Sequence, residues 1–145
     1  MTIRFMNIQL LQQVQQHIEH HPARFCAAQW AWARNAGAVI DRDEPPVDFR
    51  CCIAGHVLLL AERFDESTLL RHSVRQDDGY LGRCAQEALG LTDAQRRDLF
   101  YPSLWTDPYR SDYYLTATRE DEARVCADFL AHFIAAHEDD LAPAE

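Results

Sequence analysis

Lysine is absent: all 14 basic residues of the 145-residue chain are arginines. That excludes a Walker phosphate-loop lysine, a Schiff-base lysine for pyridoxal phosphate, a kinase-type lysine and a Ser-x-x-Lys nucleophile pair. Glycine is scarce too. The five glycines, at 37, 55, 79, 82 and 90, have no spacing that builds a nucleotide-binding glycine loop. Gly-x-Ser-x-Gly, His-Glu-x-x-His and Cys-x-x-Cys do not occur. No cofactor motif remains, and no cofactor is expected. Long apolar runs are lacking as well. The longest candidate, Cys51 to Ala61, is interrupted by Gly55-His56 and falls short of the roughly 18 apolar residues a membrane span needs.

What is present is an ordinary globular composition, 48% hydrophobic and 26% charged. At this length one domain, residues 1–145, is expected, with core enough to fold without disulfides or metal. Five cysteines, at 26, 51, 52, 84 and 126, form an odd set. The N-terminal MTIRFMNIQLLQQVQQ lacks the apolar core and cleavage site of a signal peptide. Reduced thiols and a cytoplasmic location are therefore expected. The formal charge is −9, with most acids in the C-terminal part. Such a chain repels phosphate backbones, so non-specific nucleic-acid binding is not expected. Arg63, Arg71, Arg75, Arg83, Arg96 and Arg97 read either as a local positive patch or as a solvated face paired with acids.

Periodicity predicts an all-α fold of about five helices with little or no sheet. Met1–Met6 reads as an edge strand or a lead. Asn7 caps a first helix in which Ile8, Leu11, Val14 and Ile18 recur at helical spacing, ending before Pro22. Residues 23–34 suit a short buried helix or turn anchored by Phe25, Trp30 and Trp32. Residues 35–50, with Gly37 and Pro45-Pro46, read as a surface loop. Residues 51–64 read as a central helix apolar around most of its circumference. Residues 65–79 are polar and end in Asp77-Asp78-Gly79, which reads as a turn and helix entry.

Tyr80–Leu89 follows as a helix closed by Gly90, where a left-handed residue costs least. Thr92 with Gln95 forms a capping box for a helix to about Phe100. Residues 101–117 form an aromatic loop. Thr118 caps a last helix whose inner face holds Cys126, Phe129, Leu130, Phe133 and His137. Residues 138–145 read as a frayed acidic tail.

Four groups of residues carry chemistry worth testing. Cys52 and His56 are four apart, hence on one helix face, and Cys52 lies near a helix N-terminus that lowers a thiol pKa. They are the candidate catalytic pair, a thiolate and imidazolium, or else two packed core residues. His17 and His21, with His20 and Cys26 nearby, have metal-ligand spacing, and Cys52 with His56 is the only available second pair for zinc. Histidines at a helix C-terminus also interact well with its dipole without metal. Asp41, Asp43, Glu44 and Asp48 follow Gly37 instead of enclosing a turn glycine, so the calcium-loop pattern fails. Trp105, Tyr109, Tyr113 and Tyr114, with Tyr101, are the candidate partner surface, because Tyr and Trp are enriched at binding hot spots.

Three segments carry a family resemblance: CIAGH at 52–56, LGLTDAQRRDLFYPSLW at 89–105 and AHFI at 131–134. With His-Pro-x-x-Phe at 21–25 and Trp30, they resemble a group of small bacterial and phage proteins of uncharacterised activity. These share a Cys-x-Ala-Gly-(Trp/His) helix, a Leu-Gly-Leu-Thr turn and a Leu-Phe…Trp segment. His56 after Gly55 and the 35–50 stretch depart from the commoner members of the group. The resemblance implies a small domain and carries over no functional residue.

The leading expectation is a cytoplasmic, non-enzymatic helical module that binds another protein. One alternative is a thiol- or zinc-dependent protein using Cys52 and His56. Another is an acidic phage-type inhibitor that occupies a nucleic-acid site on a host protein, which requires the acids to lie in one stripe.

Overall fold

The computed structural model describes residues 6–138. Over that span the chain is all-α, with no named strand. Two isolated bridges, Phe25 to Cys51 and Trp32 to Arg50, are the only strand-like pairings among the described residues. The expected lead at 1–5 and the tail at 139–145 lie outside the described residues.

There are eight α-helices where periodicity predicts about five. They are α1 Ile8–His20, α2 Ala36–Arg42, α3 Ile53–Leu60, α4 Glu66–Val74, α5 Asp78–Leu89, α6 Asp93–Phe100, α7 Tyr109–Tyr114 and α8 Arg119–Ala136. Short 3₁₀ turns at Pro22–Arg24 and Pro102–Leu104 complete the set.

The longer helices follow from local chemistry. Asn7 accepts the Leu10 N–H at 3.0 Å and starts α1, whose Ile8, Leu11, Val14 and Ile18 are all buried. Thr92 and Gln95 close the capping box of α6. Gly90 ends α5 at φ 68°, and Leu91 N–H then reaches back to the Gln86 carbonyl at 3.1 Å. Thr118 accepts the Asp121 N–H at 3.1 Å to start α8.

The three extra helices correct the reading of 35–50, 65–79 and 101–117 as loops or turns. Helices of six to nine residues are below the length that is stable alone, so tertiary contacts hold them. In α2, Val39 is buried and Asp43 ends the helix with φ 56°. Arg71 of α4 then donates to the Val39 carbonyl at 2.8 Å and the Ile40 carbonyl at 3.2 Å. Arg71 also pairs with Asp43, so a cation sits where the α2 dipole favours one. In α4, Asp65 caps at 2.8 Å from Thr68 N–H, and Leu69 and Leu70 are buried. The surface loop shrinks to the residues after α2. There Asn35 clamps the Pro45 carbonyl at 3.0 Å and the Val47 N–H at 2.8 Å.

The long helices α1 and α8 pack along each other. The helix α3 packs against α1 and α5, while α7 docks on α8 and α2 on α4. The central helix is shorter than predicted: it ends at Leu60, and Glu62 turns the chain at φ 58°. Ile53 to Leu58 are nonetheless buried without a break. Gly55 is required by contact. A Cβ there would lie 2.6 Å from the Trp30 carbonyl oxygen and 2.7 Å from Cys51 Cβ. Residues 25–34 form no helix and take the turn alternative, with turns at Ala27-Ala28 and Arg34 around the bridged Phe25 and Trp32. They are tied to α8 where Ala27 N–H donates to Glu122 at 2.8 Å. Phe25 is buried, whereas Trp30 and Trp32 are half-buried.

Candidate functional site

The sequence pairs Cys52 with His56; the structure pairs Cys51 with His56. Cys52 is the N-cap of α3 and has extended backbone, so it sits outside the helical register. Its sulfur turns to the Gly55 N–H at 3.5 Å. The His56 imidazole instead places Nδ1 3.2 Å from Cys51 Sγ and 2.9 Å from the Cys52 carbonyl oxygen. A carbonyl only accepts, so Nδ1 carries the proton and donates it there. Nδ1 therefore has no lone pair with which to take a proton from Cys51.

Burial works in the same direction. His56 is 2% exposed, and desolvation lowers its pKa to about 4. The Cys52 thiol is pushed up to about 11 by burial, against the pull of the Gly55 and Ala54 N–H groups. Burial raises Cys51 further, with the neighbouring Cys52 adding to it. At neutral pH the group is two neutral thiols and a neutral imidazole, the reverse of a thiolate–imidazolium pair. Local helix counting missed this because it treats Cys52 as helical.

The histidines do converge. The ring of His17 lies 4.7 Å from that of His21 and 5.1 Å, edge-on, from that of His56. Packing of α1 against α3 thus sets His17 beside His56, 39 residues further along the sequence. Yet among the described residues no group of three or more His, Cys, Asp or Glu side chains is arranged to hold a metal ion. Burial, then the neighbouring His21 and Arg24, lower the His17 pKa. The cluster is a set of packed rings against Phe25, whose centroid is 6.1 Å from that of His56.

The acidic loop resolves into ion pairs. Asp43 meets Arg71, Glu44 meets Arg42 at 3.6 Å and Asp48 meets Arg34 at 2.7 Å.

The aromatic segment divides into anchors and exposed residues. Trp105 is only 1% exposed, so its place in the predicted partner surface is corrected. Its indole N–H donates to the Leu99 carbonyl at 2.9 Å, and its ring stacks on Phe129 at 4.6 Å. Tyr109 and Tyr113 are half-buried. Tyr109 packs on Phe129 at 5.7 Å and Tyr113 on Trp105 at 5.4 Å. Burial raises the Tyr113 hydroxyl to about 12. Tyr114 is 63% exposed, and sequence reading missed its neighbours Leu115, at 81%, and Leu104, at 50%. No aromatic motif marks those two leucines, which end the 3₁₀ turn and follow α7. Beside Leu104 a cavity of about 500 Å³ opens, walled by Trp105, Phe129 and Phe133 and rimmed by Asp98, Arg110 and His132.

Over the described residues the fold is all-α. No family model, curated protein or solved structure matches the chain. No helix among the described residues is long and apolar enough to cross a membrane.

Proposed function

We propose that the protein is a small helical module that binds another protein and does no chemistry of its own. One observation carries this reading. Of seven exposed large hydrophobic residues among the described residues, four (Tyr101, Leu104, Tyr114 and Leu115) fall in residues 101–115. That segment also borders the aromatic-walled cavity next to Leu104. Clustered apolar exposure beside a concave aromatic wall is how a protein surface receives a partner's anchoring side chain. The anchors beneath it (Trp105, Tyr109 and Tyr113) hold the segment on α8, so the surface is preorganised.

The arrangement of charge favours this module over an acidic inhibitor. The acidic run Glu120, Asp121 and Glu122 at the start of α8 is flanked by Arg119 and Arg124, and other acids nearby are paired. Arg110 pairs with Asp107 at 2.9 Å, and Arg124 lies between Asp121 at 3.4 Å and Asp128 at 3.7 Å. The five free cysteines suit a reducing compartment such as the cytoplasm.

A photocrosslinking amino acid placed at Tyr114 or Leu115 in living cells tests the proposal. A discrete adduct of protein mass is expected from both positions and not from Val74, an exposed residue on α4. The absence of any adduct at 114 and 115 overturns the reading.

A further inference from the structure

A second concave site shares no lining residue with the aromatic-walled cavity. It is a cleft of about 470 Å³ between the 3₁₀ turn at Pro22–Arg24, the residues before α3 and the first turn of α8. Three arginines from these three places, Arg24, Arg50 and Arg119, line it, together with Trp32, Phe49 and Glu66. For a chain of charge −9 this convergence of cations is unexpected.

The carboxylates around the cleft are already engaged. Glu66 pairs with Arg24, Asp48 pairs with Arg34 and Glu122 accepts the Ala27 N–H at 2.8 Å. Neither Arg50 nor Arg119 forms an ion pair among the described residues. Arg50 is also held in place. Its guanidinium lies 3.8 Å over the Trp32 ring, and its backbone exchanges hydrogen bonds with Trp32 at 2.7 and 2.8 Å. Its Nε–H is buried and has no hydrogen-bond partner. Stacking on a ring uses the face of the guanidinium and leaves its N–H edge available in the plane. Burial, and then the nearby Arg119, lower the Arg50 pKa, outweighing the opposing pull of Asp48 and Glu122, neither of which forms an ion pair with it.

We propose that this cleft binds the oxyanion of a small acidic ligand, a carboxylate or a phosphate, on the guanidinium groups of Arg50 and Arg119. Planar guanidinium forks match both oxyanions, and the stacked Arg50 is preorganised for either. The volume lies within the range of about 300–1,000 Å³ found for small-molecule sites. Trp32 and Phe49 supply an apolar wall for the body of the ligand.

The test is a side-chain NMR titration at constant ionic strength, following the Arg50 Nε–Hε resonance against acetate and against inorganic phosphate. A saturable shift is expected with at least one probe, and the probe that saturates at the lower concentration names the group. Arg119→Gln, at an exposed position that leaves folding intact, is expected to raise that midpoint about tenfold, the loss of one charge-assisted contact. Arg75→Gln, on the exposed end of α4, leaves it unchanged. A shift that never saturates with either probe, or a midpoint equal in wild type and Arg119→Gln, overturns the proposal.

Discussion

His56 Nδ1 lies 3.2 Å from Cys51 Sγ while Cys52, the residue one helical turn before it, points its sulfur elsewhere. The N-cap geometry of Cys52 decides this, since its backbone is extended and its side chain serves the Gly55 N–H. The consequence is a buried, uncharged cluster instead of a reactive thiol.

Alkylation checks that consequence. In native protein at neutral pH, iodoacetamide is expected to modify the half-buried Cys26 and Cys84 first. Cys51, Cys52 and Cys126, all buried with raised pKa, react only after denaturant is added. Peptide mapping by mass spectrometry reads the order, and rapid native labelling of Cys52 contradicts it.

His56 also makes stability depend on pH. Its pKa falls from 6.5 in the unfolded chain to about 4 when buried. The unfolded state therefore binds a proton first as pH drops. The stability that the neutral form supports is intact above pH 6.5 and is lost progressively between 6.5 and about 4. The loss reaches roughly 3 kcal/mol at the lower end, and His17, also lowered, adds in the same direction. Urea denaturation from pH 4 to 7 should show a flatter dependence for His56→Gln than for wild type. Parallel curves refute the assignment.

Gly55 and Gly82 should respond oppositely to alanine. At Gly55 the new Cβ meets the Trp30 carbonyl and Cys51, and backbone cannot yield cheaply. A loss of about 2–3 kcal/mol is expected from such overpacking. At Gly82, inside α5, the nearest atom is 3.9 Å away, an ordinary contact. There alanine gains helix propensity, by up to about 1 kcal/mol. Midpoints of urea unfolding measure both, and equal effects of one sign are the contrary result.

Trp105 and Tyr114 separate anchoring from exposure within one segment. Trp105→Ala removes a stacked, hydrogen-bonded ring and is expected to cost about 3–5 kcal/mol. Tyr114→Ser, at an exposed site, stays within about 0.5 kcal/mol. Tyr109→Ser and Tyr113→Ser fall between, because both rings pack against the core. Thermal melts rank the variants, and a Tyr114→Ser loss as large as that of Trp105→Ala would falsify the division.

The sequence by itself determined the helices that carry their own signals. Asn7, Thr92 with Gln95, Gly90 and Thr118 end or start α1, α6, α5 and α8 where capping chemistry requires. The periodic Ile8, Leu11, Val14 and Ile18 define the buried face of α1. These signals are local, acting within about four residues, so they can be read without a partner. The tertiary structure decided the rest. It made helices of α2, α4 and α7, which are too short to nucleate alone: α2 depends on Arg71 of α4, α7 on Phe129 of α8, and α4 on burial of its own Leu69 and Leu70. It turned His56 to Cys51, set His17 beside His56, buried Trp105 and brought Arg50 and Arg119 to one cleft. Each joins residues through packing, burial or charge outside one regular helical register, which a repeat of 3.6 does not encode.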